Sequence, residues 1–226
     1  MKKLSFIISI FLLSSCAVIN PYTQFYKSST NDIFPPTEVV EVIEVAAQQF
    51  ENVYHQLLTN NYQEIGRSNF NGGLYDSSFA KQHAKSVGAE KVLIVQNYTE
   101  TTAYTSGFVT YGYGVAPITS SQRRFDQTAA YFVKRTKKLK FGVFLNPLTQ
   151  QEMRENSVNH GLKVLVVINE SPMFKSGIIP GDIILEINGK KIINNLDIKS
   201  NDNKSLFKIL RGGKIINVEI ITQDEV

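Results

Sequence analysis

Few residues of this 226-residue chain have the type and spacing that chemistry demands. A single cysteine, Cys16, excludes an intrachain disulfide and any multi-cysteine metal site. The three histidines, His55, His83 and His160, stand far apart with neither HExxH nor His-x-His spacing, so no histidine-rich metal centre is expected. A serine hydrolase needs a nucleophile beside an oxyanion-hole glycine, with His and acid partners. The chain contains neither Gly-x-Ser-Gly nor Gly-x-Ser-x-Gly, and His55 and His83 fall on predicted helices where they read as surface residues. The expectation is no catalytic residue, no metal and no cofactor, and hence not an enzyme.

Charge narrows the partners. Lys+Arg 24 against Asp+Glu 20 gives +4, which falls to +2 if Lys2 and Lys3 leave with an N-terminal segment. So balanced a surface offers no broad attraction to phosphate backbones, and nucleic acid is not expected as a partner despite a pI near 9.0. A hydrophobic fraction of 42% suffices for ordinary cores, and the length suits two domains.

Residues 1–20, MKKLSFIISIFLLSSCAVIN, open with two lysines, run apolar from Leu4 to Leu13 and end in small residues. This is the layout of an export signal. The apolar run is about ten residues, half of the roughly 20 that a membrane-spanning helix needs. Leu13-Ser14-Ser15-Cys16 resembles the bacterial lipobox, in which cysteine is acylated and becomes the first mature residue. The resemblance implies a signal peptide over 1–15, a lipid such as palmitate on Cys16, and anchoring in the cell envelope. Ala17 follows the cysteine where lipoproteins retained in the inner membrane often carry Asp, which implies the outer membrane, facing the periplasm.

Segment 16–37, rich in Ser, Thr, Asn and Tyr with Pro35-Pro36, reads as a tether. An α/β domain over 38–136 follows. Val42, Val45, Ala46, Phe50, Val53 and Leu57 recur at spacings of three and four, predicting an amphipathic helix over 38–60. Tyr62 to Phe70 reads as a strand, Ser78 to Val87 as a helix closed by Gly88, and Lys91 to Tyr98 and Gln127 to Lys134 as strands. Between the last two, residues 99–125 read as a long hairpin loop, or as arms extending the strands, with Tyr104, Tyr111 and Tyr113 offering an adaptable contact surface. The strand–helix–strand order with Gly88-Ala89-Glu90 is similar to the small α/β domain preceding a PDZ domain in some bacterial lipoproteins.

The C-terminal part carries the most specific pattern. In SPMFKSGIIPGDIILEING, Pro172 opens a short helix, Gly177 ends it, Pro180-Gly181-Asp182 makes a turn, Ile183, Leu185 and Ile187 alternate as a strand, and Asn188-Gly189 signals a hairpin. Residues 139–226 resemble a bacterial PDZ domain of the type attached to periplasmic trypsin-like proteases. That resemblance implies a small, partly open β-barrel with helices over 137–226, and an overall α+β fold class. It also implies capture of a polypeptide C-terminus by strand addition, with backbone amides holding the carboxylate.

The carboxylate loop would be Phe141, Gly142 and Val143, where glycine leaves room for converging amides, and Val143, Phe144 and Leu145 would form the ligand-pairing edge. A helix over 202–210, stopped by Gly212-Gly213, would supply the other wall through Leu206, Ile209 and Leu210. The basic run Lys134, Arg135, Lys137, Lys138 and Lys140 is either a solvated linker or a device for steering acidic C-termini. The favoured function is a lipid-anchored adaptor or scaffold that binds protein C-termini or extended segments. The alternatives are a self-assembling structural envelope protein and a regulatory partner of an envelope protease, and the sequence sets no oligomeric state.

Overall fold

The computed structural model describes residues 19–194, 198 and 203–222. Cys16 and the signal-like segment therefore lie outside the described residues. Two mostly antiparallel sheets, joined through one helix, organise the rest.

The first sheet contains β1 (Tyr26–Ser28), β2 (Glu41–Val45), β3 (Tyr62–Gly72), β4 (Lys91–Tyr111) and β5 (Gly114–Lys134), in the order β1-β3-β5-β4-β2. Only β2 runs parallel to its neighbour, with Glu41 opposite Lys91 and Val45 opposite Val95. Three helices cover this sheet: α1 (Pro21–Gln24) and α3 (Ser77–Ser86) on one face, α2 (Phe50–Thr59) on the other. Burial on both faces explains the continuous run Val92-Leu93-Ile94. Val92 and Ile94 join Ala80, Ala84 and Tyr22 on the first face, and Leu93 joins Leu57 and Phe132 on the second. Asp76 caps α3 by accepting from the Ser78 amide at 2.8 Å, and Gly88 ends it at φ 73°.

Three segments of the first sheet and its helices depart from expectation. Residues 38–60 are not one helix: β2 and a 3₁₀ turn (Ala47–Gln49) precede α2, because Val42, Ile43 and Val45 add a parallel edge to β4. The segment 16–37 is not a free tether throughout. From Asn20 it forms α1 and β1, Tyr22 is fully buried, and β1 pairs Tyr26 with Ser68. His83 is not on the surface, since it shares the inward stripe of α3 with Ala80 and Ala84.

The second sheet contains β6 (Val143–Pro147), β7 (Leu162–Val167), β8 (Ile183–Ile187), β9 (Lys190–Lys191), β10 (Lys204–Arg211) and β11 (Lys214–Ile221). Its order is β11-β10-β8-β7-β6, with β9 hairpinned onto β8. It does not close into a barrel and carries α4 (Gln150–Glu155) and α5 (Pro172–Lys175). The mixed, strand-rich architecture is the α+β class expected. Asn188 (φ 51°) and Gly189 (φ 78°) make the two-residue turn that the Asn-Gly pair predicts.

Where a helix is expected over 202–210, the described residues from 204 on form a strand. Residues 204–211 pair antiparallel with both β11 and β8, and Gly212-Gly213 forms the tight turn into β11 instead of stopping a helix. Alternation of buried Ser205, Phe207 and Ile209 with less buried neighbours is a period of two, which outweighs the three-and-four spacing of Leu206, Ile209 and Leu210.

Helix α2 links the two sheets. Its Leu57 and Leu58 lie in one cluster with Leu93 and Phe132 of the first sheet and with Val166 of β7, and Phe144 and Leu165 pack against it. Burying two leucines on this scale contributes about 1.5–3 kcal/mol each. At its C-terminal end, the Asn169 amide donates to the Thr59 carbonyl at 2.9 Å and the Asn169 side-chain amide to Asn60 Oδ1 at 3.1 Å.

Candidate peptide-binding edge

Strand β6 ends its sheet, so one of its edges faces no other strand among the described residues. The segment leading into it, Phe141-Gly142, is fixed by its carbonyls. The Met173 amide donates to the Phe141 carbonyl at 3.2 Å, and the Ile168 amide to the Gly142 carbonyl at 2.9 Å. Ser171 Oγ adds a bond to the Gly142 carbonyl at 3.3 Å and itself accepts from the Phe174 amide at 3.2 Å, capping α5.

These bonds set the direction of the amides. A trans peptide points its N–H opposite to its C=O, and none of the described peptides is cis. The Gly142 N–H therefore points away from Met173, and the Val143 N–H away from Ile168. The bond from Ile168 to Gly142 also makes Val143 and Val167 a non-hydrogen-bonded pair in the antiparallel ladder, which turns the Val143 N–H and C=O to the open edge. Among the described residues no group accepts from the Phe141 or Gly142 amide. Gly142 sits at φ 68°, the left-handed region, with the Ser171 side chain against its Cα. Consecutive outward amides at such a bend can hold an anionic oxygen.

The other expected site residues separate. Phe141 is 6% exposed and its ring meets Phe207 edge-on at 5.3 Å, so its side chain belongs to the core. Val143 and Leu145 pack against that core, while Phe144 turns to α2. Ile209 is fully buried in the same core as Phe141. Leu210 lies in a separate cluster with Leu148, Ile183 and Leu185, and Leu206 is half exposed. All three are on β10, which β8 and β7 separate from β6, so they do not form a wall beside that edge. Of residues 195–202 only Ile198 is described, and it packs against the core.

The basic run divides as well. Lys134 donates to the Asn60 carbonyl at 2.8 Å, and Arg135 Nη1 to Gln63 Oε1 at 2.9 Å. The Arg135 guanidinium lies 6.0 Å from the Phe144 ring, and burial pushes its pKa down. Both residues are committed to the junction between sheets, whereas Lys137, Lys138 and Lys140 are exposed just before the loop. Sequence reasoning missed Ser171, which orients the loop from another element. The Ser171-Pro172 pair is an N-cap signal, but nothing local ties it to Gly142.

Two surface concavities lie elsewhere: one lined by Met153, Arg154 and His160 near α4, another by Glu44, Asp76 and Lys81. No group of three or more His, Cys, Asp or Glu that could hold a metal occurs among the described residues.

No protein-family model matches the chain. It is 40% identical over 73 residues to the mitochondrial serine protease HTRA2 of Drosophila simulans, covering 30% of this chain and 17% of that protein. The HTRA2 of Drosophila yakuba is 37% identical over 90 residues, covering 35% of this chain and 21% of the relative. The chain thus spans about a fifth or less of the length of these curated relatives. Among solved structures it is similar to the PDZ domain of HtrA3 bound to a phage-derived ligand, at 24% identity and TM-score 0.34, covering 37% of this chain and 83% of that one. The HtrA-type protease AlgW with a decapeptide matches at 24% identity and TM-score 0.31, over 36% of this chain and 27% of that one. The sequence matches are to HTRA2 serine proteases, and the solved structures reported are HtrA-type proteins.

Proposed function

We propose that this chain is a lipid-anchored envelope protein whose C-terminal PDZ domain binds the C-termini or extended segments of partner proteins, acting as an adaptor or scaffold without catalysis of its own. One observation carries the binding role. The Gly142 and Val143 amides turn outward at the head of an edge strand whose other side faces no strand among the described residues. An incoming strand can pair with β6 while its terminal carboxylate meets those amides. The peptide ligands named for the HtrA3 PDZ domain and for AlgW are in keeping with this reading. The lipobox-like Leu13–Cys16 supports the anchor, and Ala17 supports the outer membrane. Exposed Lys137, Lys138 and Lys140 give the approach a positive field suited to acidic C-termini.

The test is binding of C-terminal peptides with an apolar last residue, in free-acid and amidated forms, by fluorescence polarisation. The free acid is expected to bind on the order of micromolar, as suits a short strand-adding ligand. Amidation removes the charge the amides meet and should weaken binding at least tenfold, about 1.4 kcal/mol. Equal affinity for both forms would reject the carboxylate site.

A further inference from the structure

The β4–β5 hairpin runs far beyond the sheet that roots it. β2 pairs β4 only over Glu41–Val45 with Lys91–Val95, and β3 pairs β5 only from Phe125 onward. Between those limits and the turn the two strands pair only with each other, making a free two-stranded ribbon. From Thr101 to Tyr111 it reaches about 33 Å, at ~3.3 Å per residue. Its end is a two-residue turn, Gly112-Tyr113, with Gly112 at φ 53°.

Composition along the ribbon is graded. No charged residue occurs from Thr101 to Gln122, in a chain that is 19% charged. The proximal half is mostly Thr and Ser. The distal half holds Phe108, Tyr111, Tyr113, Val115 and Ile118, all exposed, with Phe108 at 70%. Register places Phe108 beside Pro117 and Thr110 beside Val115 on one face, and Val109 beside Ala116 and Tyr111 beside Gly114 on the other. The tip is thus apolar on both faces and around its end. A flat protein surface can cover one face of such a ribbon, whereas a lipid phase surrounds it.

A second copy of the chain, pairing edge to edge, fits less well. Pro117 offers no N–H, and the ladder slips between Thr105 and Gly107. Both features interrupt the regular edge that strand addition needs.

We propose that the tip of the β4–β5 ribbon, centred on Phe108, Tyr113 and Val115, inserts into the interfacial layer of a lipid bilayer. Depth is bounded by the backbone. The unpaired outer edges of a lone ribbon forbid crossing the hydrocarbon core, so insertion stops about 5–10 Å in, with the Gly112-Tyr113 turn deepest, Phe108 and Ile118 nearer the headgroups and the Thr/Ser half in water. The inference stands on residues 101–122 and does not depend on Cys16.

The chain has no tryptophan, so one substitution supplies a clean reporter. Full-length Tyr113→Trp protein is mixed with phosphatidylethanolamine–phosphatidylglycerol vesicles. The expected result is a blue shift of emission and quenching by brominated acyl chains, both persisting in high salt because the tip is uncharged. Phe174→Trp, exposed on α5, should report water under the same conditions. Adding Val115→Asp should abolish the Tyr113→Trp response. An unshifted, unquenched reporter at position 113 would overturn the proposal. So would a blue shift that appears without lipid and grows with protein concentration, since that would identify a second copy as the occupant.

Discussion

Gly142 and Ser171 are in such close contact that a Cβ at position 142 would overlap the Ser171 Cβ. The two residues belong to different elements, the loop before β6 and the cap of α5, and their contact sets how the loop amides point. A side chain at 142 faces two obstacles, the Ser171 clash and the left-handed φ of 68°, which costs a non-glycine residue roughly 1–2 kcal/mol. Gly142→Val should therefore weaken binding of a free-acid C-terminal peptide at least tenfold, about 1.4 kcal/mol. Lys191→Ala, on exposed β9, should leave it unchanged. Fluorescence polarisation with both variants checks this, and unaltered affinity in Gly142→Val would remove the loop from the site.

Arg211 and Asp182 form a bidentate ion pair beside the second sheet. Arg211 Nε and Nη2 each donate to one oxygen of Asp182 at 2.6 Å, and the Asp182 side chain is 1% exposed. The carboxylate also accepts from the Ile179 amide at 3.0 Å, closing the Pro180-Gly181 turn. Arg211→Ala would leave a buried carboxylate unpaired and should lower stability by about 3 kcal/mol. Replacing both residues by alanine should cost less than the two single losses added together, because the unpaired charge is then gone. Urea unfolding of the three variants measures the coupling, and simple additivity would contradict it.

Much of the fold was legible because local signals and tertiary needs agree. Ser171-Pro172, Gly177, Asn188-Gly189 and Gly88 each demand one backbone geometry, and the structure adopts it at all four. Where a short apolar stretch suits two periods, the neighbours decided. Val42 and Val45 fit a helix by spacing, yet the parallel edge of β4 draws them into a strand. Leu206, Ile209 and Leu210 fit a helix face, yet pairing with β8 and β11 splits them between environments. At the candidate site the sequence pointed to Phe141–Leu145. It could not show Ser171 beneath Gly142, nor Phe144 turned toward α2, because both contacts join segments distant along the chain.

The proposed lipid anchor is tested on the full-length chain. Cys16 lies beyond the described residues, and its motive is sequence alone: the sole cysteine at the end of a short apolar run. Cys16→Ser should block lipid attachment and leave protein that lacks the acyl mass, or that keeps its signal segment. Mass spectrometry of the purified protein reads both results. A Cys16→Ser protein whose mature mass differs from the parent's only by the Cys-to-Ser exchange would exclude thioether anchoring.

Burial of His83 against the first sheet gives the fold's stability a pH dependence of definite sign. The imidazole sits on α3 with its ring edge-on to Tyr26 at 4.6 Å and Tyr131 at 5.1 Å, and Nδ1 within 3.2 Å of Thr23 Oγ1. Among the described residues no acidic side chain contacts the ring, and desolvation lowers its pKa from 6.5 to about 4. In the unfolded chain the same group takes a proton near 6.5, so between those values the unfolded state binds more protons and stability falls as pH falls. The loss begins as pH drops through 6.5, is complete near 4 and amounts to about 3 kcal/mol. Glu152 acts in a separate, more acidic window. Lys163 and the Thr149 cap hold its carboxyl at about 2, so its contribution is lost only as pH falls from about 4.5 toward 2. Unfolding free energies measured at pH 7, 6, 5 and 4.5 should therefore decline in the parent protein, and the decline should flatten in His83→Gln, which cannot take up the proton. A parent protein equally stable at pH 7 and pH 4.5 would contradict the buried neutral imidazole.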